Sequence, residues 1–179
     1  VHKVDSDDDD DKSTKTKHVL KFPDGENVKF PIQLGLMMKV ISLGEVYPKP
    51  NYYTDKYLFN PGYKSMKLYY NVKNPDERVW YTSSVEKGHG GPKFIVSNDE
   101  LGVRYCDAKP SGAWLNIIRE YTNTRKKRGE SFSRSQTVSG PECFGFSSPL
   151  IRHLFSQMPG VEKCVGFVKF KSMSIRPAP

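Results

Sequence analysis

The chain has 179 residues, of which 36% are hydrophobic and 12% aromatic, enough for one domain with a core and too few for two. No stretch is as long and apolar as a membrane span, and the N-terminus carries no apolar signal segment, so we expect a soluble protein that is not exported. Three widely spaced cysteines, Cys106, Cys143 and Cys164, favour buried thiols over a disulfide framework.

Charge is distributed unevenly. Residues 1–12 contain six aspartates against two lysines, a net charge of −4, so the remaining residues carry +12 because the whole chain carries +8. A like-charge block without apolar residues cannot bury a core, so we predict an acidic, largely disordered leader over residues 1–35. Asp8–Lys12 also resembles a protease-cleavage tag. An acidic interaction tail, a shield for a basic surface and a solvated linker are the alternatives, and the linker is favoured.

The first predicted elements are short strands. A Pro-Asp-Gly turn between apolar runs predicts a small hairpin between Val19 and Phe30, and Met38–Val46 predicts a strand that Pro48 ends. Residues 51–63 then place five aromatic rings around an Asn-Pro-Gly turn. Such rings suit either base stacking or packing over a sheet edge, and packing is the favoured interpretation.

The central element is a hairpin over Gly62–Val85. Its first strand alternates Met66, Leu68, Tyr70 and Val72 on one face with Lys67, Tyr69, Asn71 and Lys73 on the other. Asn74–Glu77 has the composition of a type I turn. The return strand places Val79, Tyr81 and Val85 on one face and Trp80 and Thr82 on the other. Both faces therefore carry aromatic bulk, and the hairpin needs further strands and a helical layer to cover it.

The second half predicts two short strands, Phe94–Ser97 and Leu101–Cys106, and then two helices. The first helix has Ser111 as its N-cap and an apolar stripe of Trp114, Ile117, Ile118 and Tyr121. The second begins near Ser147 or Ser148 with Pro149 in its first turn. It is expected to bury Leu150, Ile151, Leu154 and Phe155 before Pro159-Gly160 ends it. Val165–Lys171 is predicted as a last strand.

Two groups of segments resemble known sequence motifs. Residues 57–85, YLFNPGYKSMKLYYNVKNPDERVWYTSSV, resemble the FYRN motif. Residues 91–97, 110–118 and 139–167 follow the FYRC pattern in order. Two long motifs in the right order are more specific than any short motif. The chain is therefore similar to the FYR module of nuclear chromatin-regulator proteins, over roughly Val40–Phe170.

The resemblance implies one compact α+β module over residues 36–176, with an antiparallel β-sheet faced by helices. Its FYRN-like half covers about 40–90 and its FYRC-like half about 91–171. Because the halves are adjacent, an intramolecular module is expected rather than a joiner of separate fragments. We expect the structural core of the motifs to consist of Tyr63, Tyr70, Trp80, Tyr81, Phe94, Trp114, Phe144, Phe146 and Leu154.

The function implied is that of a non-catalytic protein-interaction module in a nuclear chromatin or transcription regulator of histone methyltransferase, histone demethylase or adaptor type. Its expected partners are other nuclear proteins, without a cofactor, a metal, a membrane or a small-molecule substrate. Rings beside charges suit interfaces, so the interaction candidates are Tyr52, Tyr53, Lys67 and Tyr69. The candidate surfaces are the exposed edge near Tyr52 and Tyr53 and the face carrying Lys67 and Tyr69. For Tyr53 and Tyr69, exposure and burial in the core are both left open.

The alternative function is a basic nucleic-acid or nucleosome-binding domain. Its basis is the positive charge outside the leader and the basic patch Arg125, Lys126, Lys127 and Arg128, for which a solvated loop is an equal reading. Phosphorylation of nearby Ser131, Ser133 and Ser135 would offset that charge. The lysines expected on a phosphate-facing surface are Lys64, Lys67, Lys73, Lys169 and Lys171. Catalysis is disfavoured, because no catalytic motif is present and Gly88–Gly91 reads as a turn.

Overall fold

The computed structural model describes residues 19–21, 27–131 and 137–170, so the acidic run at residues 5–11, Ser133, Ser135 and Lys171 lie outside the described residues. Within them the strands are β1 (Val19–Lys21), β2 (Asn27–Lys29), β3 (Ile32–Gln33), β4 (Met38–Leu43), β5 (Tyr63–Tyr70), β6 (Arg78–Lys87), β7 (Pro92–Asn98) and β8 (Val103–Asp107). The helices are α1 (Pro110–Lys127), α2 (Gly140–Phe144) and α3 (Pro149–Ser156), and a 3-10 turn follows at Val161–Lys163.

The main sheet has six antiparallel strands in the order β3-β4-β5-β6-β7-β8. Each strand pairs with its neighbour in sequence, and β5 and β6 form the centre as predicted. The turn between them is closed by a hydrogen bond from the Glu77 N–H to the Asn74 carbonyl, 3.0 Å. β1 and β2 form the predicted separate hairpin. β3 lies before residue 36 and already pairs with β4.

The helices pack on one face of this sheet, which we call the inner face. The hydroxyls of Tyr63 and Ser65 on β5 both donate to the carbonyl of Phe144 in α2, at 2.6 and 2.8 Å. On β6, Ser83 accepts a hydrogen bond from the Trp114 indole of α1 at 2.9 Å. Since β6 belongs to the FYRN-like half and α1 to the FYRC-like half, the two halves form one α+β unit.

The core is an aromatic cluster between the sheet and the helices. Seven of the nine predicted core residues are buried there: Tyr63, Tyr81, Phe94, Trp114, Phe144, Phe146 and Leu154. Tyr70 is half-buried and packs against this core, whereas the half-buried Trp80 does not belong to it, so the prediction for Trp80 is wrong. Trp80 projects from the opposite, outer face of the sheet, where the Lys39 ammonium lies 4.6 Å from its ring. Tyr70 ends β5 and stacks on Tyr121 of α1, with ring centroids 4.9 Å apart.

The helix boundaries follow the sequence with two corrections. α1 begins at Pro110 after Lys109, whose side chain makes no capping hydrogen bond, so Ser111 lies inside the helix. α3 begins as predicted, with the Ser148 hydroxyl accepting from the Ile151 N–H. However, Leu150 is 43% exposed while its neighbour Ile151 is fully buried, which corrects the predicted burial of Leu150. α2 was not predicted.

The predicted last strand is absent from the described part of the chain. Residues 167–170 have no assigned secondary structure, and Val165 and Val168 are 83% and 66% exposed. Gly166 has a φ of +91°, which turns the backbone away from an extended path. Among the described residues, no helix is long and apolar enough to cross a bilayer.

Candidate interaction surfaces

The basic patch lies at the C-terminal end of α1, and half of it is already paired. The Arg125 guanidinium donates to the Glu130 carboxylate at 2.7 and 3.0 Å and to the Tyr121 hydroxyl at 2.7 Å. Arg128 donates to the Asp76 carboxylate at 2.5 and 3.2 Å. Those hydrogen bonds hold the pKa of Asp76 and that of Glu130 below their usual ranges.

Lys126 and Lys127 of the same patch are exposed. Of the five lysines predicted to form one phosphate-facing surface, the four that the structure describes do not share a surface. Lys64 is on the outer face, Lys67 is on the inner face, and the Lys73 ammonium donates to the Leu101 carbonyl at 2.6 Å. Lys169 is exposed beyond α3. Successive side chains of a strand point to opposite faces, so Lys64 and Lys67, three positions apart on β5, lie on opposite faces of the sheet.

Two interaction candidates, Lys67 and Tyr69, lie on the inner face of the sheet, which the helices cover. The Tyr69 ring packs edge-on against Trp114 and Tyr121, at 5.8 and 5.7 Å between centroids. Burial, with a smaller contribution from the neighbouring Tyr121, raises the pKa of Tyr69 to about 12. Lys67 is half-buried on the same face of β5. These residues contribute to packing between sheet and helix.

The other two candidates, Tyr52 and Tyr53, are at the opposite end of the sheet. Tyr52 is buried, which corrects its predicted exposure, and its ring packs edge-on against Tyr47. Its hydroxyl accepts a hydrogen bond from the Gly88 N–H at 3.3 Å. Tyr53 is half-buried and lines a groove. Tyr52 therefore supports a wall of the groove, whereas Tyr53 faces into it.

The groove has a volume of about 690 Å³ and is formed by three segments that are distant in sequence. They are the loop after β4 at residues 51–59, the β6–β7 turn with the start of β7 at residues 88–94, and the connection from β8 to α1 at residues 107–111. Its volume is within the usual range for ligand pockets. The floor includes the rings of Tyr53, Phe59 and Phe94, of which Phe59 and Phe94 pack edge-on at 5.1 Å.

One wall is the glycine-rich turn Gly88–Gly91, held from below by Asn51. Asn51 has a φ of +74°, in the left-handed region, and its side-chain amide donates to the Gly90 carbonyl at 3.2 Å. A Cβ on Gly88 would lie 2.6 Å from the Gly91 carbonyl oxygen, so the turn admits no side chain there. The wall is thus mostly backbone, fixed by contacts from a separate loop.

The opposite wall carries the only carboxylate among the described lining residues, that of Asp107. This carboxylate accepts a hydrogen bond from the Lys109 N–H at 2.8 Å. It also lies against the first turn of α1, where a Cβ on Gly112 would come within 2.3 to 2.5 Å of its atoms. The basic side chains of the lining are His89, Lys93 and Lys109. The Asp107 carboxylate therefore contacts residues of the wall to which it belongs, namely Lys109 and Gly112.

No cluster of three or more His, Cys, Asp or Glu side chains suited to a metal ion occurs in residues 28–131 and 137–170. His89 is in the groove wall, whereas His153 is on α3, where its Nε2 lies 2.8 Å from Gln157 Nε2. Cys143 is half-buried and burial raises the pKa of its thiol to about 11, so it is a poor nucleophile at neutral pH.

Comparison with known protein families agrees with this architecture. Residues 29–88 match the family described as F/Y-rich N-terminus, FYRN. Residues 91–173 match the family described as F/Y rich C-terminus, FYRC. The chain belongs to the FYR family. The boundary between the two matches falls in the glycine-rich turn, so the FYRN and FYRC halves meet at the groove.

Several characterised relatives are similar over most of this chain. It is 31% identical over 152 residues to transforming growth factor beta regulator 1 of Homo sapiens, covering 83% of this chain and 36% of that protein. The Xenopus tropicalis protein of the same name is 33% identical, with coverages of 79% and 34%. Histone-lysine N-methyltransferase 2D of Mus musculus is 24% identical over 71% of this chain and 2% of its own length. The chain thus spans about a third of the regulators it matches.

Proposed function

We propose that this FYR module is a non-catalytic protein-interaction module of a nuclear chromatin or transcription regulator, and that the groove is its docking site. The groove is the main support for this proposal. It is lined by aromatic residues, and hydrogen bonds from Asn51 and to Tyr52 fix the glycine-rich turn that forms one wall. A preformed site of this kind binds without a large ordering cost. The expected partners are other nuclear proteins.

The names of the relatives support the cellular setting. One group consists of proteins named as transforming growth factor beta regulators and another of proteins named as histone-lysine methyltransferases. The FYR module is the part that they share with this chain. Because two such different parents carry it, an accessory binding role explains the shared module better than a reaction of its own.

Filling the groove tests the docking site. Ala108 is an exposed lining residue, and an Ala108→Trp substitution would place an indole in the groove without changing its charge. The matched control is Val165→Trp, at an uncharged position outside the groove that is 83% exposed. Affinity capture from nuclear extract should recover a set of proteins with the unaltered chain and with the control that Ala108→Trp loses. Equal recovery by all three chains would contradict docking in the groove, and a fluorescently tagged chain excluded from nuclei would contradict the localisation.

Direct contact with DNA or nucleosomes is the second candidate. The observation that favours it is the exposure of Lys126 and Lys127 at the C-terminal end of α1. Binding of duplex DNA that weakens steeply as salt is raised, and that Lys126→Glu with Lys127→Glu removes, would support this candidate. Binding that is absent, or indifferent to salt, would eliminate it.

A further inference from the structure

We infer that the groove binds an extended acidic peptide of a partner protein, with a large apolar side chain flanked by carboxylates. The inference deepens the proposed function, on which it rests, by specifying the chemistry of the partner. Three properties of the groove support this inference: the charge of its lining, the aromatic rings of its floor and the absence of side chains on the glycines of one wall.

The described lining residues include two lysines and one aspartate, and Glu86 lies opposite Lys93 on β6. Lys93 and Lys109 both line the groove, and no described carboxylate lies within salt-bridge distance of either ammonium. The one acidic lining residue, Asp107, is turned toward the first turn of α1. An acidic segment would therefore meet two lysines that form no described salt bridge, whereas a basic segment would bring like charges against them. A Lys- or Arg-rich tail is the less favourable occupant.

The floor supplies the apolar half of the site. Tyr53 and Phe59 are half-buried lining residues, so ring surface of both remains accessible, and the buried Phe94 supports Phe59 edge-on. Aromatic anchors that enter such pockets dominate the energetics of many interfaces. A volume of about 690 Å³ leaves room for one such ring together with the backbone on either side. A purely acidic peptide would leave the floor uncovered.

The glycine wall allows a peptide backbone to approach closely. Gly88, Gly90 and Gly91 present no side chains, and the Asn51 contact with Gly90 fixes the turn that they form. His89 is the single side chain of this turn and it is exposed. An extended segment passing along this wall would reach Lys93 on one side and Lys109 on the other.

The chain's own acidic run is a less suitable occupant than a partner. Residues 5–11 consist of aspartate and a single serine, so they carry no apolar side chain for the floor. Their charge nonetheless matches the lysines, and the experiment must distinguish the two sources.

The probe is a fluorescein-labelled peptide of sequence DDFDD, titrated with the full chain at low salt and followed by fluorescence anisotropy. Lys93→Glu combined with Lys109→Glu should weaken binding at least about tenfold. Lys126→Glu combined with Lys127→Glu changes the net charge equally at a distant site and should weaken it by less than about threefold. The peptides DDADD and KKFKK should each bind at least about tenfold more weakly than DDFDD. Thermal unfolding of each variant checks that it is folded.

Each other outcome overturns the inference. Equal losses in the two charge variants would mean that the probe senses net charge alone, and equal binding of DDADD would mean that the floor holds no anchor. Tighter binding of DDFDD after Asp7, Asp8, Asp9 and Asp10 are replaced by Asn would identify the chain's own acidic run as the occupant. If DDFDD fails to bind while Ala108→Trp still abolishes capture, the docking function stands and only the acidic chemistry is wrong.

Discussion

The two ends of α1 are both rich in cations, and they differ in what those cations contact. At the C-terminal end, Arg125 and Arg128 are tied to Glu130 and Asp76. At the N-terminal end, Lys109 and the nearby Lys93 face a groove whose carboxylate, Asp107, is engaged elsewhere. The fold thus neutralises the two arginines of the C-terminal end and leaves Lys126 and Lys127 exposed there. Pairing, which depends on the fold, decides which cations are available to a partner.

Trp114 is the residue that anchors α1 to the sheet. Its ring is fully buried, its indole donates to Ser83, and it contacts Tyr81 edge-on. Trp114→Ala should lower the free energy of unfolding by about 3–5 kcal/mol, measured by urea denaturation. Trp80→Ala, on the half-buried outer face, should cost clearly less. Equal losses would mean that α1 is not anchored as described.

The N-terminal end can be disturbed at Gly112. A Cβ there would come within 2.3 to 2.5 Å of the Asp107 carboxylate, so Gly112→Ala should destabilise the protein by about 1–3 kcal/mol and displace Asp107. Without that clash, the better helix propensity of alanine would stabilise the helix by about 1 kcal/mol instead. A lower urea midpoint for Gly112→Ala would therefore indicate the clash with Asp107, and a higher midpoint would indicate that helix propensity dominates. Adding Asp107→Ala should recover part of the loss if the clash causes it.

Alkaline pH should affect the end of α1 near Tyr69 and the neighbouring Tyr81. Burial raises the pKa of each phenol to about 12, against about 10 in an unfolded chain. Between these values the folded state holds more protons than the unfolded state, so stability falls as the pH rises. Urea midpoints should decrease from about pH 10 to about pH 12. Tyr69→Phe should make that decrease shallower, and an unchanged slope would contradict the assignment.

The smallest expected effect is at the exposed pair of Asp76 and Arg128. Because the pair is exposed, Asp76→Asn should barely change the urea midpoint. It should nevertheless release Arg128, which would steepen the dependence of duplex-DNA affinity on salt by about one phosphate contact. Glu77→Gln changes the charge equally at an exposed neighbour without a described carboxylate–arginine pair, and it should leave the salt dependence nearly unchanged. Equal changes in salt dependence for the two variants would show that the Asp76–Arg128 pair does not limit DNA binding at the C-terminal end of α1.

The elements with strong local signals were predictable from sequence. The alternation and turn between Tyr63 and Lys87 predicted the central hairpin, and Ser148 with Pro149 predicted the start of α3. The faces of β5 were harder, because aromatic residues occur on both. Both Tyr69 and Trp80 are half-buried, but only Tyr69 packs against α1. Which face α1 covers depends on tertiary structure.

The groove had no comparable signal. Tyr53 and the glycine-rich turn were both noted, but residues 51–59, 88–94 and 107–111 meet only when the sheet forms. The prediction of a last strand was also wrong. Apolar residues near Val165 suggested a buried strand, but no described strand pairs with this segment. The pairing of Arg128 with Asp76 joins residues 52 positions apart, beyond the reach of any local pattern.

The most direct test of the docking site is an amide proton–nitrogen NMR titration of the full chain with the DDFDD peptide. Backbone signals of Gly88, Gly90, Gly91 and Lys109 should shift most, because these residues form the two walls of the groove. Signals of Lys126, Lys127 and Gly129 at the other end of α1 should shift little. Shifts concentrated at that C-terminal end, or spread evenly over the surface, would contradict the assignment of the groove as the docking site.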